Sequence, residues 1–279
     1  MLAGLKRVTR SLSPAGRKSS NDYARARDEL HRAIPIVSRW AQTASVPETP
    51  VTVIIATHNR AHLLGRAIDS VLAQTHRRIQ LVVVDDGSSD ETARLTTCDR
   101  YEVIRQPASG LVAARNAGLA AATGDYVAYL DDDNILDQHW IRTSVWAHNH
   151  FPGAETVYGG RVSEDRVPPG LAVKDANVAL QYPWLQLEPF DRARLLVGNF
   201  MDANVIVHRR DHPEAGFQAG SQGLSDWDLA LRLTRDGAAI AVPAIACYYA
   251  TREPSRMSLV SASDMARELG FISDKHRDV

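Results

Sequence analysis

The chain has 279 residues, of which 44% are hydrophobic and 23% are charged, and its formal net charge is -1. This composition is typical of a globular protein, and the balanced charge argues against a nucleic-acid-binding protein. Cys98 and Cys247 lie far apart and form no zinc-type or redox motif. A disulfide framework is therefore not expected, and a reducing cytoplasm fits. The longest apolar runs are too short to span a membrane, and the basic N-terminus lacks the apolar stretch of a secretory signal.

Residues 1–49 differ in composition from the rest of the chain. Residues 1–20 are rich in Ser, Gly, Lys and Arg, which predicts disorder. The run "NDYARARDELHRAIPIVSRWAQTA" then predicts a helix interrupted near Pro35, and "SVPETP" predicts a linker. The positive excess of this extension favours peripheral contact with anionic lipid on the cytoplasmic face of a membrane, or with an acidic partner. The alternative is a solvated arm.

From Val51 onward, two kinds of apolar run alternate along the chain. "VTVIIAT", "IQLVVVDD", "YEVIRQ" and "DYVAYL" are short and rich in β-branched or aromatic residues, which predicts buried strands. "RAHLLGRAIDSVLAQT" and "GLVAARNAGLAAATG" have helical spacing, and Ser88 and Glu91 have the spacing of a capping box at another helix start. This alternation predicts an α/β fold with one Rossmann-like, mostly parallel sheet flanked by helices.

The second half of the chain has a less regular pattern. "TVYGGRV" and "NFMDANVIVHRR" contain strand-like runs, and residues 163–198 predict an irregular segment with short helices. "LSDWDLALRLTRDGAAIAVP" predicts an amphipathic helix followed by a strand.

Polar clusters follow three of the predicted strands: "ATHNR", "DDGSSD" and "DDDN". Ligands bind beyond the carboxyl ends of parallel strands, so the three clusters are expected at one edge of the sheet. Three consecutive aspartates, Asp131 to Asp133, repel one another. Carboxylates at i and i+2 can share a Mg²⁺ or Mn²⁺ whose other ligands are waters and phosphate oxygens, which predicts a metal–diphosphate site. The alternative is a solvated turn or a helix N-terminus.

Other polar side chains at this edge have two interpretations each. Asp86 can accept hydrogen bonds from a base or ribose, His58 can stack on a base, and Arg115 can face phosphate. The alternatives are a turn or cap, an exposed loop histidine and a surface arginine. In "SDWD", Asp226 and Asp228 are either acids that suit a helix N-terminus, or one of them is a general base for an acceptor hydroxyl.

Four motifs in order resemble family 2 glycosyltransferases of the GT-A fold: "VTVIIATHNRAHLLGRAIDSVLAQT", "LVVVDDGSSDET", "GLVAARNAGLAAATGDYVAYLDDDN" and "SDWDLALRL". The resemblance covers roughly residues 50–250. It implies a metal-dependent, inverting transferase that uses a nucleotide sugar, with a UDP-sugar favoured and Mn²⁺ or Mg²⁺ as the cofactor. It also implies a nucleotide-sugar-binding half at 50–150, an acceptor-binding and catalytic half at 151–255, and a C-terminal tail at 256–279.

The resemblance assigns roles to individual residues. Asp131 and Asp133 would bracket the DXD motif and bind the metal, with Asp132 near the ribose or sugar. The general base would be Asp226, in a pair that is Ser225–Asp226 here where the family often has Glu-Asp. The other implied nucleotide contacts are Ala56, His58, Asn59, Asp86, Gly110 and Arg115. The implied acceptor or sugar contacts are Asn199, Asp202 and Trp227.

Two other functions remain open at this point. A sugar-phosphate nucleotidyltransferase would have a similar sheet, although "VTVIIATHNRAHLLG" lacks the early glycine-rich, basic loop of those enzymes. A non-catalytic nucleotide-sugar-binding protein is the second alternative, because Ser225 stands in place of the glutamate. The sequence does not predict the sugar, the acceptor or the oligomeric state.

Overall fold

The computed structural model describes residues 19–151, 153–163, 185–218, 223–237, 239–250 and 261–276. The predicted disorder of residues 1–20 lies almost entirely outside these ranges. So does most of the irregular segment predicted at 163–198.

The strands in the described ranges form one sheet. Their bounds are β1 (Val51–Thr57), β2 (Ile79–Asp85), β3 (Glu102–Arg105), β4 (Tyr126–Asp131), β5 (Ile135–Leu136), β6 (Thr156–Ser163), β7 (Leu185–Gln186), β8 (Ile206–Arg209) and β9 (Ile240–Tyr249). The order is β3-β2-β1-β4-β8-β6-β9-β5, with β7 beside β6. Strands β1 to β4 are mutually parallel, whereas β8 pairs antiparallel with both β4 and β6. The carboxyl ends of the first four strands therefore share one edge.

The helices pack against this sheet. Their bounds are α1 (Ser20–Thr43), α2 (Ala61–Leu72), α3 (Leu111–Ala120), α4 (Trp140–His150), α5 (Arg192–Leu195), α6 (Ser225–Leu233) and α7 (Ala262–Lys275). Short 3₁₀ helices lie at Glu91–Arg94 and Ala203–Val205. Helices α2 and α3 contact β1, and α1 and α4 contact β9. The predicted α/β fold is confirmed. Among the described helices, none has the length and apolar character needed to cross a membrane.

Helix α1 is continuous through Pro35, so the predicted interruption is wrong. Proline removes one backbone hydrogen bond from a helix. Here Leu30, Ile34 and Val37 are fully buried on either side of it, and this packing outweighs the local cost. On the solvent side, Arg25 and Arg32 pair with acids of the same helix. Membrane contact through this extension stays a prediction.

A close approach of α3 to the sheet sets the position of the site described next. A Cβ atom on Gly118 would lie 2.4 Å from Cγ2 of Ile54, a buried residue of β1. Only glycine permits this spacing. The backbone of α3 therefore lies close against the strand, and Arg115, one turn earlier, is buried beneath the carboxyl edge.

Candidate active site

The three consecutive aspartates lie at the carboxyl edge of the parallel half of the sheet. Asp131 is the last residue of β4 and is paired in register with Ala56, near the end of β1. Asp132 is 5% exposed, and Asp133 has a partly exposed side chain. The strand ends therefore bring the "ATHNR" and "DDDN" clusters together, as the sequence predicts.

Arg60 is the direct partner of two of these aspartates. Its Nη1 donates to Oδ1 of Asp132 at 3.1 Å and to Oδ2 of Asp133 at 2.7 Å. Sequence reasoning missed this residue. The sequence did contain a signal, because Arg60 is a cation in the polar cluster that follows β1. Strand β1 pairs with β4, which ends at the aspartates.

Arg115 joins the aspartate cluster to the late helix. Its Nη2 donates to Oδ1 of Asp131 at 2.7 Å, and its Nη1 donates to Oδ1 of Asp226 at the start of α6. The Arg115 side chain is 3% exposed. The arginine expected to face phosphate is thus bound between two carboxylates, and it brings the candidate metal ligand and the candidate base into one site.

Asn204 holds the other side of Asp131. Its Nδ2 donates to Oδ2 of Asp131 at 2.9 Å, and its Oδ1 accepts the backbone N–H of Asp131 at 2.7 Å. This pair of hydrogen bonds fixes both the main chain and the carboxylate. Sequence reasoning did not single out Asn204, although it lies in the "MDAN" run beside the predicted Asp202.

The predicted sugar or acceptor residues have different surroundings. Oδ1 of Asp202 accepts the Asn204 backbone N–H at 3.0 Å, and its Oδ2 is ion-paired with Arg161. The next residue, Ala203, donates its N–H to Oδ2 of Asp226 at 3.3 Å, so Asp202 lies beside the site. Asn199 accepts the backbone N–H of Met201 at 3.0 Å. Trp227 is buried and donates its indole N–H to the Leu195 carbonyl at 2.6 Å, so it packs within the protein.

Asp86 organises the loop that begins α3. Its Oδ1 accepts the backbone N–H of Ser109 at 2.8 Å and the side-chain amide of Gln106 at 2.7 Å. Its Oδ2 accepts the N–H of Gly110 at 2.7 Å. Gly110 has a φ of 91°, which favours glycine, and precedes the first residue of α3. Oδ1 thus accepts two hydrogen bonds and Oδ2 accepts one, so Oδ2 retains a lone pair that can accept from a ligand.

His58 and Asn59 form the opposite wall of the same loop region. Nδ1 of His58 donates to the Asp86 carbonyl at 2.7 Å, and Nε2 accepts from the Asn59 amide at 3.0 Å. Asn59 has a φ of 54°, and its Oδ1 accepts the Ser89 backbone N–H at 2.7 Å. Both ring nitrogens of His58 are therefore occupied, which fixes the plane of the ring.

The predicted capping box at Ser88 and Glu91 is wrong. Asp90 caps the short 3₁₀ helix, because its Oδ1 accepts the Thr92 N–H at 3.0 Å. The Ser88 hydroxyl instead accepts the Asn59 backbone N–H at 2.9 Å. Side chains of the second polar cluster thus support the first cluster, and the helix expected there is only one turn long.

Burial perturbs the acids of the site. It raises the pKa of Asp132 to about 6, although Arg60 acts in the opposite direction. Burial, followed by the nearby Asp131 charge, raises the pKa of Asp133. Burial also raises the pKa of Asp226, while the Arg115 charge lowers it. Such shifts are common where acids take part in chemistry or bind cations.

The described ion pairs of the site join more aspartates than arginines. In the described part of the chain, three arginines pair with five aspartates: Arg60 with Asp132 and Asp133, Arg115 with Asp131 and Asp226, and Arg161 with Asp202. Carboxylates therefore outnumber guanidinium groups among these described pairs, and such a cluster suits the binding of a cation.

The donor set suits a hard divalent cation. Among the described residues, no group of three or more His, Cys, Asp or Glu side chains is arranged to hold a metal ion. Mg²⁺ usually binds one or two carboxylates together with waters and phosphate oxygens, so such a group is not required. Within the same ranges, Oδ2 of Asp132 is buried without a hydrogen-bond partner. The carboxylates of Asp131 and Asp133, which flank this residue, are oxygen donors of the kind that fits Mg²⁺ or Mn²⁺.

Comparison with known proteins identifies the family of the chain. Residues 52–209, more than half of the chain, match the family model described as Glycosyl transferase family 2. The chain belongs to glycosyl transferase family 2. A curated relative, an uncharacterized glycosyltransferase of Nostoc sp., is 45% identical over 101 residues, which are 34% of this chain and 31% of the relative. The chain spans less than a third of the length of the first curated relatives that it matches.

Two solved structures share the fold. S. aureus TarS in complex with UDP-GlcNAc has a TM-score of 0.62 at 16% identity, over 81% of this chain and 66% of that chain. The mannosyltransferase PcManGT from Pyrobaculum calidifontis, in complex with GDP-Man and Mn²⁺, has a TM-score of 0.58 at 18% identity. That likeness covers 99% of this family 2 chain and 76% of PcManGT. The GT-A fold expected from the sequence is confirmed.

Proposed function

We propose that this chain is a metal-dependent, inverting glycosyltransferase that moves a sugar from a nucleotide diphosphate sugar to an acceptor hydroxyl. The observation that carries the proposal is the bridge made by Arg115. It joins Asp131, in the aspartate cluster, to Asp226, on the late helix. The proposed metal ligand and the proposed general base come from two distant parts of the sequence, and this bridge would hold them in one site.

The donor nucleotide would bind between the loops after β1 and β2. His58, with both ring nitrogens hydrogen-bonded, presents a fixed aromatic face for a base. Asp86 retains acceptor capacity toward a base imide or a ribose hydroxyl. Ala56, Asn59 and Gly110 would line the same pocket. The TarS and PcManGT complexes contain UDP-GlcNAc and GDP-Man, respectively, which supports a nucleotide-sugar donor. We favour a UDP-sugar.

The diphosphate would lie over the aspartate cluster. Asp131 and Asp133 are the proposed metal ligands, and Asp132 would lie near the ribose or the sugar. A bound Mg²⁺ or Mn²⁺ would neutralise the diphosphate and stabilise it as a leaving group. The Mn²⁺ in the PcManGT complex and the clustering of carboxylates at this edge support that assignment.

Asp226 would act as the general base. One of its oxygens is held by Arg115 and the other accepts the Ala203 N–H, so the carboxylate has a fixed orientation. As the acceptor oxygen bonds to the anomeric carbon, its proton passes to Asp226, and the bond from that carbon to the diphosphate breaks. Attack from the face opposite the leaving group inverts the configuration. Burial raises the pKa of Asp226 and makes it a stronger base.

Calorimetric titration tests the donor site. The purified protein is titrated with UDP, GDP and dTDP, each with and without Mn²⁺. We expect metal-dependent binding of one nucleotide and its loss in Asp133→Ala. Binding of none of the three under either condition would overturn the proposal. Product analysis then separates the reaction classes, because glycosyl transfer releases a nucleoside diphosphate whereas nucleotidyl transfer from a nucleoside triphosphate releases inorganic diphosphate.

A further inference from the structure

Arg60 combines a fixed backbone with a side chain that can move. It precedes α2, and its carbonyl accepts the N–H groups of Leu63 and Leu64 at 3.0 and 3.1 Å. The N–H of the next residue, Ala61, donates to Asp90 at 3.0 Å. The Arg60 side chain is 22% exposed and extends from this anchored position to the aspartates after β4. A long side chain on a fixed backbone can exchange partners without rearrangement of the fold.

The guanidinium of Arg60 contacts Asp133, a proposed metal ligand, and the neighbouring Asp132. A single nitrogen, Nη1, donates to both Asp132 and Asp133. A cation bound to Asp133 would face this positive charge at close range. Like charges in a partly buried site repel strongly, since solvent screens them little. Arg60 and the metal therefore compete for the same negative charge.

We propose that Arg60 is a resident counter-ion that exchanges places with the metal: it pairs with Asp132 and Asp133 before the donor binds, and then turns to the donor's diphosphate. This inference rests on the proposed function. It adds the order in which Arg60 pairs first with the aspartates and then with the diphosphate. Arginine forms paired hydrogen bonds with phosphate oxygens, so the diphosphate is a suitable second partner.

The exchange predicts coupling between metal and nucleotide. A metal that binds alone must displace Arg60 without a new partner for the guanidinium, so its affinity is low. When the nucleotide diphosphate is present, the released guanidinium gains a partner and the metal binds more tightly. Because coupling free energies are reciprocal, the metal must strengthen nucleotide binding by the same factor.

Direct measurement of Mn²⁺ binding tests the exchange without any turnover. Free Mn²⁺ is followed by electron paramagnetic resonance in titrations of the full chain at pH 8, where the acids are ionised. In the absence of nucleotide, we expect Arg60→Gln to lower the Mn²⁺ dissociation constant about tenfold, since a charged hydrogen-bond partner no longer competes. With saturating UDP, the additional tightening should be smaller in the variant than in the wild type.

Two variants control for loss of charge and for general damage. Arg60→Lys keeps the competing charge, so its Mn²⁺ affinity should stay close to that of the wild type. Arg105→Gln removes an arginine that pairs with Asp85 at 2.9 Å, at the end of the neighbouring strand, and it should leave Mn²⁺ affinity unchanged.

Unchanged or weaker Mn²⁺ binding by Arg60→Gln would overturn the exchange, and so would equal tightening in all three variants. Absence of Mn²⁺ binding by both wild type and Arg60→Gln would also overturn it. These outcomes are distinct from failure of the proposed function, which is decided by nucleotide binding in the wild type. If UDP binds with Mn²⁺ while Arg60→Gln leaves Mn²⁺ affinity unchanged, the donor site stands and the exchange does not.

Discussion

Arg115 on α3 and Asp226 on α6 form an ion pair that connects the two halves of the chain across the carboxyl edge of the sheet. The same guanidinium also binds Asp131, so one buried side chain positions two acids with different proposed roles. This arrangement makes Arg115 important for stability as well as for geometry, because each acid would otherwise lie in a partly buried site without its cation.

Removal of Arg115 should destabilise the protein. Arg115→Met leaves two neighbouring carboxylates without their shared cation, and we expect the free energy of unfolding to fall by about 3 kcal/mol, the lower end for a broken buried pair. Urea denaturation measures this. The matched control is Arg94→Gln, which breaks an exposed pair with Glu91 whose side chains are 80% and 68% exposed. The control should change stability by less than about 1 kcal/mol, and an equal loss in both variants would contradict the prediction.

Asp226→Asn should separate catalysis from donor binding. We expect turnover to fall by about 10²–10⁴-fold, the usual contribution of a general base. The affinity for the nucleotide with Mn²⁺, measured by calorimetry, should stay close to that of the wild type. The residues proposed to contact the nucleobase and the ribose lie in the first half of the chain, away from Asp226. Full turnover in this variant would eliminate Asp226 as the base. Asp228→Asn is not a suitable control, since Asp228 is buried in its own ion-pair cluster.

His208 should make the protein sensitive to acid. Burial lowers its pKa to about 4, from an ordinary 6.5. The ring is neutral in the folded state, where Nδ1 donates to the Arg209 carbonyl and Nε2 lies 3.1 Å from the Tyr129 hydroxyl. Its contribution is therefore complete above pH 6.5 and is lost as the pH falls through 4. The shift corresponds to about 3 kcal/mol of unfolding free energy.

Urea denaturation between pH 7 and pH 4 tests this sensitivity. His208→Gln should flatten the fall of the unfolding free energy over this range, whatever its effect at pH 7. The matched control, His62→Gln, replaces an exposed histidine on α2 and should leave the pH dependence unchanged. An unaltered slope in His208→Gln would refute the assignment.

Glu268 on α7 should support the helix that carries Asp226. Its carboxylate accepts the backbone N–H groups of Gly223 and Leu224 at 2.8–3.0 Å, immediately before α6. A negative charge at a helix N-terminus is favourable, so Glu268→Gln should lower the unfolding free energy by about 1 kcal/mol. Turnover should also fall, because Asp226 lies in the first turn of α6, while UDP affinity is retained. The exposed pair of Arg25 with Glu29 supplies the control, Glu29→Gln. A loss of stability no greater than that of the control would argue against stabilisation of the start of α6 by Glu268.

Local patterns in the sequence predicted most of the strands and helices. Strands β1, β2 and β4 are apolar runs bounded by polar clusters. Between α6 and β9, the spacing of apolar residues changes from that of a helix to that of a strand, as predicted. The wrong predictions concern local structure that depends on contacts with distant parts of the chain. Helix α1 passes through Pro35 because its apolar face is buried, and the capping box fails because the Ser88 hydroxyl accepts the Asn59 backbone N–H from another loop.

The sequence predicted which acidic residues belong to the candidate site, but it did not predict which cation pairs with each of them. The rule that ligands bind at strand ends drew attention to Asp86, Asp131 and Asp133. It gave no indication that Arg60 and Arg115 would be divided between different aspartates, because ion-pair partners depend on side-chain positions that only the folded chain defines. Asn204 was missed for the same reason, since an amide in a loop has no distinctive pattern.

The burial of helix α1 has a practical consequence for work on the isolated catalytic region. The family match begins at residue 52, which suggests that the preceding segment can be removed. Such a cut would delete Leu30, Ile34 and Val37, all fully buried, and would expose the apolar surface that they cover near β9. A shortened protein that begins at the family boundary is therefore expected to aggregate on expression, whereas one that begins at residue 19 retains these three buried side chains.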